Sequence, residues 1–285
     1  MSRKKLAIAV PASVISDTPH LREKTSKIGL IGRAAAVFRV DEIIVYPDNA
    51  GKNKQKNEAD LIALLLSYLE TPQYLRKRFF KLDPRLQYAG ILPPLRTPHH
   101  PLNRKAKNLK VGEYREGVTA SKTKEGVLVD IGTERPALMR ETQWALGKRL
   151  TLQVVTAGER VEVQAASRDE VPSYWGYKVT MEKHSFGRLV ENRKFGLTIA
   201  TSKIGTKFVD VAEKMIEKWK NTNRTLVAFG APARGLHEIV GDEGADLHDV
   251  ADFVVNMVPE QGTETVRTEE ALFASLAVLN VQFGW

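Results

Sequence analysis

The sequence predicts an α/β protein interrupted by a small all-β insertion. Three observations lead there. Strand-length apolar runs alternate with helical periodicity over residues 1–100. Short alternating runs separated by turn residues fill 105–183. The α/β texture then returns over 185–285, so one domain is split into two parts by an inserted barrel.

Residues 6–10 (Leu-Ala-Ile-Ala-Val) form an uninterrupted apolar run, as expected of a strand covered on both faces. The run follows a basic start but stops at Pro11 with no small-residue cleavage pattern, so a buried strand explains it better than a secretory leader. A helix is expected over 21–38, where Ile28, Ile31, Ala35 and Phe38 recur at three- and four-residue steps. Asp17 or Thr18 would cap it, with Pro19 in the first turn. Residues 42–46 read as a second buried strand, closed by turn residues 47–51, and 52–57 as a polar loop. The leucine-rich stretch 58–69 reads as a helix and 74–80 as a short basic one. The proline-rich 84–101 reads as a connector, with His99 and His100 in an exposed turn.

Within the insertion, the runs 116–120, 126–132, 150–155 and 160–164 have the spacing of small-barrel strands, and the glycines framing 126–132 suggest an OB-like barrel. Tyr174, Trp175 and Tyr177, set among cations, read equally as base-stacking platforms and as core. Further on, 197–201, 226–229 and 253–257 are strand candidates, and 207–219 and 269–279 are helices.

Two strand-to-loop junctions carry the functional signal. The run 224–229 enters Gly230-Ala231-Pro232-Ala233-Arg234-Gly235, and the run 251–258 enters a polar loop reaching Thr268. In open α/β sheets, ligands bind outside the carboxyl ends of strands. The first loop matches neither GxGxxG nor a Walker A pattern, and spacing alone leaves a structural turn and a ligand loop equally open. The second crowds Gln261, Thr263, Thr265, Arg267 and Thr268 ahead of a helix. A cap formed by Thr268 with Glu269 or Glu270 would account for only part of that. A flat purine read by backbone groups suits such a setting, and residues 201–205 end a strand on the same side.

Composition narrows the classes. Lysine and arginine number 43 against 34 acidic residues, a net charge of +9, which favours a polyanionic partner. With no cysteine, disulfides, thiolate metal sites and a thiol nucleophile are excluded, and no histidine pair has HExxH spacing, so no metal site is predicted. No run approaches the ~20 apolar residues of a membrane span, and a cytoplasmic protein is expected.

Taken together, these residues resemble the SPOUT superfamily of RNA methyltransferases, in particular its archaeal and eukaryotic branch with an inserted β-barrel. The resemblance covers nearly the whole chain. Its most specific parts are Phe229-Gly230-Ala231-Pro232 with Gly235-Leu236, and the string Pro259-Glu260-Gln261-Gly262-Thr263-Glu264-Thr265-Val266-Arg267-Thr268 with the four residues after it. It implies a SPOUT-type α/β domain with a C-terminal trefoil knot, a bent S-adenosylmethionine held in that knot, rRNA or tRNA as substrate, and a homodimer whose substrate site spans both subunits. The cofactor contacts it implies are Gly230, Pro232, Gly235, Asn256, Val258, Pro259, Gln261, Gly262, Thr263, Thr265 and Val266. Residues 31–38 and 40–45 are similar to the first motif of the superfamily's ribose methyltransferases, whose catalytic arginine falls on Arg33. An always-charged arginine can position phosphate or stabilise a developing anion. Arg33 and Arg267 are therefore the catalytic candidates, with Glu264 as a possible base. Three departures make a base nitrogen as plausible an acceptor as the ribose 2′-oxygen: Lys27 replaces the motif's Asn, Pro232 replaces a Glu, and Val278-Leu279-Asn280 replaces Ser-Leu-Asn. The alternative is a non-catalytic RNA-binding or ribosome-assembly factor with a vestigial pocket. An ordinary dinucleotide enzyme would need a fingerprint that is absent here.

Overall fold

A computed structural model describes residues 3–48 and 53–284, with no side-chain description for Asn53 and Lys54. The turn expected at 49–51, and Lys52, lie outside the described residues. The chain forms two compact units. The first comprises Met1–Leu69, Pro84–Pro94 and Tyr177–Trp285, and the second Glu70–Asp83 and Leu95–Gly176.

In chain order the first unit opens with β1 (Lys5–Pro11), α1 (Leu21–Val37), β2 (Glu42–Tyr46) and α2 (Asn53–Glu70). The second contributes α3 (Gln73–Phe79), β3 (Tyr114–Thr123), β4 (Gly126–Asp130), β5 (Ala137–Met139), β6 (Arg149–Thr156) and β7 (Glu162–Ala166). The first resumes with β8 (Lys178–Met181), α4 (Phe186–Arg193), β9 (Leu197–Lys207), α5 (Phe208–Lys220) and β10 (Arg224–Ala228). It ends with α6 (Leu236–Gly241), α7 (Leu247–Val250), β11 (Phe253–Asn256) and α8 (Thr268–Phe283).

The first unit is built on a six-stranded sheet in the order β11-β9-β10-β1-β2-β8, with every neighbouring pair parallel. All strand carboxyl ends therefore share one edge. The apolar run of β1 lies inside this sheet, with Ile8, Ala9 and Val10 fully buried. One core cluster joins Ala9, Ile44 and Tyr46 to Phe186 and Leu189 of α4 and to Leu236, Ile239 and Val240 of α6. The helical stripes of α1 and α8 are buried as their periodicity predicts, at Ile28, Ile31, Ala35, Leu272, Leu276 and Leu279, and the two helices touch. At Gly32 a Cβ would fall 2.7 Å from both Leu69 and the Tyr177 hydroxyl, so α1 can lie this close only without a side chain there.

β9 bears on function most. It pairs Ile199 and Ala200 with Phe253 and Val254, then resumes with Thr206 and Lys207 opposite Val255 and Asn256. Residues 201–205 are thus looped out of the ladder, a bulge that re-aims their side chains at the carboxyl edge. At Gly205 a Cβ would stand 2.8 Å from the Val254 carbonyl and the Val255 nitrogen, so the strand re-enters the sheet through a position open only to glycine.

The second unit is a closed five-stranded barrel in the order β3-β4-β5-β7-β6, antiparallel throughout except for the parallel pair β5–β7. Val127, Val129, Ile131, Leu152, Val154 and Val163 fill it. β5 is three residues long, too short to show alternation, which is why it escaped the sequence reading. A buried polar network lies under β3 and β6. Arg149 donates to Glu70 at 2.8 Å and to Glu116 at 2.6 Å, and the Trp175 indole donates to Glu116 at 2.6 Å.

Several expectations need correction. The helix-capping position before α1 is His20, with no side-chain bond, because the Asp17 carboxylate instead accepts from Lys27 at 2.8 Å. α2 starts at Asn53, so most of the expected polar loop at 52–57 is helix. Lys178–Met181, read as part of the barrel span, forms the sheet's edge strand β8. Tyr174, Trp175 and Tyr177 are buried, which makes them core rather than stacking platforms. His99 is fully buried and not an exposed turn: the prolines fold it inward, and its ring nitrogen meets the Glu70 carbonyl at 3.0 Å.

Burial alone would raise the Glu70 carboxyl, but hydrogen bonds from His99 and the charge of Arg149 outweigh it and hold the group down to about 2. This folded value lies below the unfolded one of about 4.3. The contribution to stability is therefore complete above the unfolded value and is lost as pH falls towards 2. We expect unfolding free energy, measured by urea titration, to decline across that window. Arg149→Met should cost about 1–3 kcal/mol, because Glu70 keeps only the longer contacts to His99 and Arg168 at 3.4 Å, and should move the decline to higher pH.

Candidate active site

The carboxyl edge of β9, β10 and β11 holds a cleft of about 470 Å³. Three segments wall it: the β9 bulge, the turn after β10 and the loop after β11, with Ala271 and Ser275 of α8 behind them. In space β9 lies between β11 and β10 although it precedes both in sequence, so the chain reverses direction across it. Such a switch point opens a crevice between the loops that leave on either side.

Each wall is pinned locally. β10 is followed by Phe229, whose N–H donates to the Ala9 carbonyl at 3.0 Å and whose carbonyl accepts from the Tyr46 hydroxyl at 3.0 Å. Burial, with Asp48 and Glu243 nearby, pushes that phenol well up, so it stays a donor. The following turn closes on itself, with the Ala231 N–H donating to Arg234 at 2.9 Å. Arg234 does not reach for a ligand: its guanidinium donates to the Asp48 carbonyl at 3.1 Å and pairs with Asp242. At Gly230 a Cβ would meet the Arg234 carbonyl and Gly235 Cα at 3.1 Å, so a larger residue would crowd the turn.

The second loop is held by its own polar side chains. The Asn256 amide donates to the Lys203 carbonyl at 2.8 Å and its oxygen accepts from the Val258 N–H at 3.0 Å. Gln261 donates to the carbonyls of Thr263 at 2.9 Å and Glu264 at 3.0 Å, and Lys203 donates to the latter at 2.7 Å. Thr268 does not cap α8 with its hydroxyl. It donates to the Gly230 carbonyl at 3.1 Å, joining the two loops, while the Arg267 N–H is satisfied by Glu270 at 3.0 Å.

Of the residues predicted from sequence, Gly230, Pro232, Gly235, Asn256, Val258, Gln261, Glu264, Thr265 and Val266 line the cleft. Thr201, Ser202, Lys203 and Ile204 of the bulge line it too. Pro259, Gly262 and Thr263 lie on the same loop but are not part of the wall. Arg267 is exposed at the head of α8 and also lies off the wall. Arg33 sits on α1, donating to the Pro94 carbonyl at 3.1 Å, and a single copy does not bring it into the cleft. The sequence reading missed His237 and Glu238, which the first turn of α6 places on the wall, and Ser275, read only as an inward-facing helix residue. His237 Nε2 and Ser275 Oγ are buried without hydrogen-bond partners among the described residues. Among the described residues no cluster could hold a metal ion, and no helix is long and apolar enough to cross a membrane.

The fold is thus an α/β unit with a switch-point cleft, interrupted by a basic barrel. Residues 5–279 match the family described as "Putative RNA methyltransferase", and the chain belongs to that family. It is 32% identical to an uncharacterised protein of Halobacterium salinarum, covering 96% of this chain and 98% of that one. It is 34% identical to the 28S rRNA (uridine-N(3))-methyltransferase of Drosophila melanogaster over 96% of this chain, which spans 61% of that protein. It is 33% identical to the enzyme of the same name from Mus musculus, spanning 75% of it.

Two substitutions test how the cleft is built. Thr268→Val keeps the shape but leaves the Gly230 carbonyl unpaired, and should cost about 1–3 kcal/mol in urea unfolding while widening the cleft. Gly205→Ala should cost about 1–3 kcal/mol by forcing apart the β9–β11 ladder. Unchanged unfolding midpoints would show that the bulge and the tie carry no load.

Proposed function

We propose that this protein transfers a methyl group from S-adenosylmethionine to N3 of a uridine in large-subunit ribosomal RNA. The observation that carries this reading is the cleft closed by the Thr268–Gly230 bond, in a chain whose relatives include 28S rRNA (uridine-N(3))-methyltransferases. When bound, S-adenosylmethionine supplies a sulfonium-activated methyl group. The wall fits such a ligand. Strand-end carbonyls and amides offer edges for adenine, Met257, Val258 and Val266 offer apolar cover, and Glu238 and Glu264 place carboxylates where a cationic sulfonium gains from them.

Uridine N3 carries a hydrogen and is a poor nucleophile until it loses it. Transfer to N3 would form an N–C bond at the expense of the donor's methyl–sulfur bond, whose electrons would stay on sulfur, and this chain would have to take up the N3 proton. Glu264, on the wall and exposed, is the candidate acceptor. Most of the acceleration in such a transfer comes from holding donor and acceptor in line, which asks for a rigid cleft more than for many catalytic groups.

In this reading the C-terminal segment forms a trefoil knot and the enzyme is a homodimer. The exposed apolar residues Leu30 and Val37 of α1 and Val281 of α8 support the dimer, since the two helices touch and leave these side chains in solvent. Arg33 stands three residues from Leu30 and four from Val37, on the same helical face. A second copy docked there would receive Arg33 near its own cleft, where the guanidinium would position phosphate or steady the N3 anion. Arg267, beside the loop, would assist from its own subunit.

Incubating the enzyme with donor and ribosomal RNA from cells lacking the gene, then analysing nucleosides by mass spectrometry, should give N3-methyluridine. A 2′-O-methylated product, or none, would contradict the proposal. Arg33→Ala should lower kcat by about 10²-fold or more with donor affinity unchanged. Normal turnover would remove Arg33 from the mechanism.

A further inference from the structure

The barrel unit is about a third of the chain but carries most of its charge excess: 18 lysines and arginines against 12 acidic residues, net +6 of the chain's +9. On its surface is a cavity of about 220 Å³ that does not belong to the donor cleft. Its apolar floor comes from Leu128 of β4, Leu138 of β5, Pro136 and Val161. Its mouth lies between the β3–β4 turn and the segment joining β6 to β7, with Arg135 and Arg160 lining it beside Glu125 and Glu159.

We propose that this cavity binds single-stranded RNA flanking the methylated nucleotide, one base entering the apolar floor while Arg160 and Arg135 hold the adjoining phosphates. The proposal rests on the RNA methyltransferase reading only for its choice of RNA. Three features carry it. A closed barrel in which the first strand pairs with the second and fourth, and the third runs parallel to the fifth, presents its second and third strands, with these two turns, as one open face. Barrels of this topology use that face for oligonucleotides. The floor is apolar but contains no aromatic ring, so base selection there should be weak. The third feature is a built-in competitor. Arg160 is paired across the mouth with Glu125, which holds the two turns together, yet both side chains are more than half exposed, at 55% and 58%. Such a pair is weakly held, and a phosphate can take the place of the carboxylate.

That competitor gives the proposal its own signature. Binding of a fluorescein-labelled oligouridylate, followed by anisotropy, should weaken about five- to tenfold in Arg160→Gln and lose about 0.7 from its log–log salt slope, the value for one phosphate contact on a single strand. Glu125→Gln should tighten binding, since it leaves Arg160 only its longer contact to Glu162 at 3.7 Å. A purely structural pair predicts that both variants behave alike, which would overturn the proposal. So would equal affinity for the oligouridylate and for its duplex with oligoadenylate, whose bases cannot enter the floor. S-adenosylhomocysteine binding, measured on the same samples, should be unchanged in both variants. Loss of donor binding in the parent protein would instead count against the proposed activity and leave the barrel result standing.

Discussion

A single hydrogen bond, from the Thr268 hydroxyl to the Gly230 carbonyl, holds together segments that are 38 residues apart in sequence. The carbonyl at the end of β10 has passed beyond the sheet ladder and must find a donor or stay costly. By supplying it, Thr268 fixes the start of α8 against the turn after β10. The β9 bulge lies between the strands that feed those two loops, so the cleft becomes a rigid three-sided enclosure. Strand order makes this possible: only because β9 lies between β10 and β11 do their loops face each other.

The same economy explains why the polar side chains of the second loop are spent on backbone. Asn256, Gln261 and Thr263 each hydrogen-bond a main-chain group of the cleft walls. A loop stiffened in this way presents its amides and carbonyls in fixed positions, which is what recognition of an adenine edge requires. The cleft and most of the excess positive charge lie in different units. The sheet edge shapes a neutral cleft for a small ligand, while the barrel carries most of the excess positive charge, the property that attracts a phosphate chain at long range.

Much of this was legible in the sequence. Buried strands announced themselves as continuous apolar runs at 6–10, 43–46 and 226–229, because a parallel sheet covered on both faces leaves few positions for polar residues. The two loops stood out because glycine, proline and small polar residues cluster there beyond what capping needs. What escaped notice depends on tertiary contact. The three-residue strand β5 and the edge strand β8 are too short for periodicity, and their pairing is decided by partners distant in sequence. His99 looked like part of a solvent turn because nothing local signals that Glu70 awaits it. His237 and Ser275 reach the cleft only through the placement of their helices, which no local pattern encodes. Arg33 shows the reverse case: a motif residue recognisable in the chain yet away from the cleft of its own copy.

If the loops after β10 and β11 together form the donor site, S-adenosylhomocysteine must bind there. Isothermal titration of the purified protein with this ligand, run beside Gly230→Val, which crowds the turn where the two loops meet, should give saturable heat from the parent protein and none from the variant, provided circular dichroism shows the variant folded. Absence of heat from the parent, or equal heat from both proteins, would contradict that placement of the donor site.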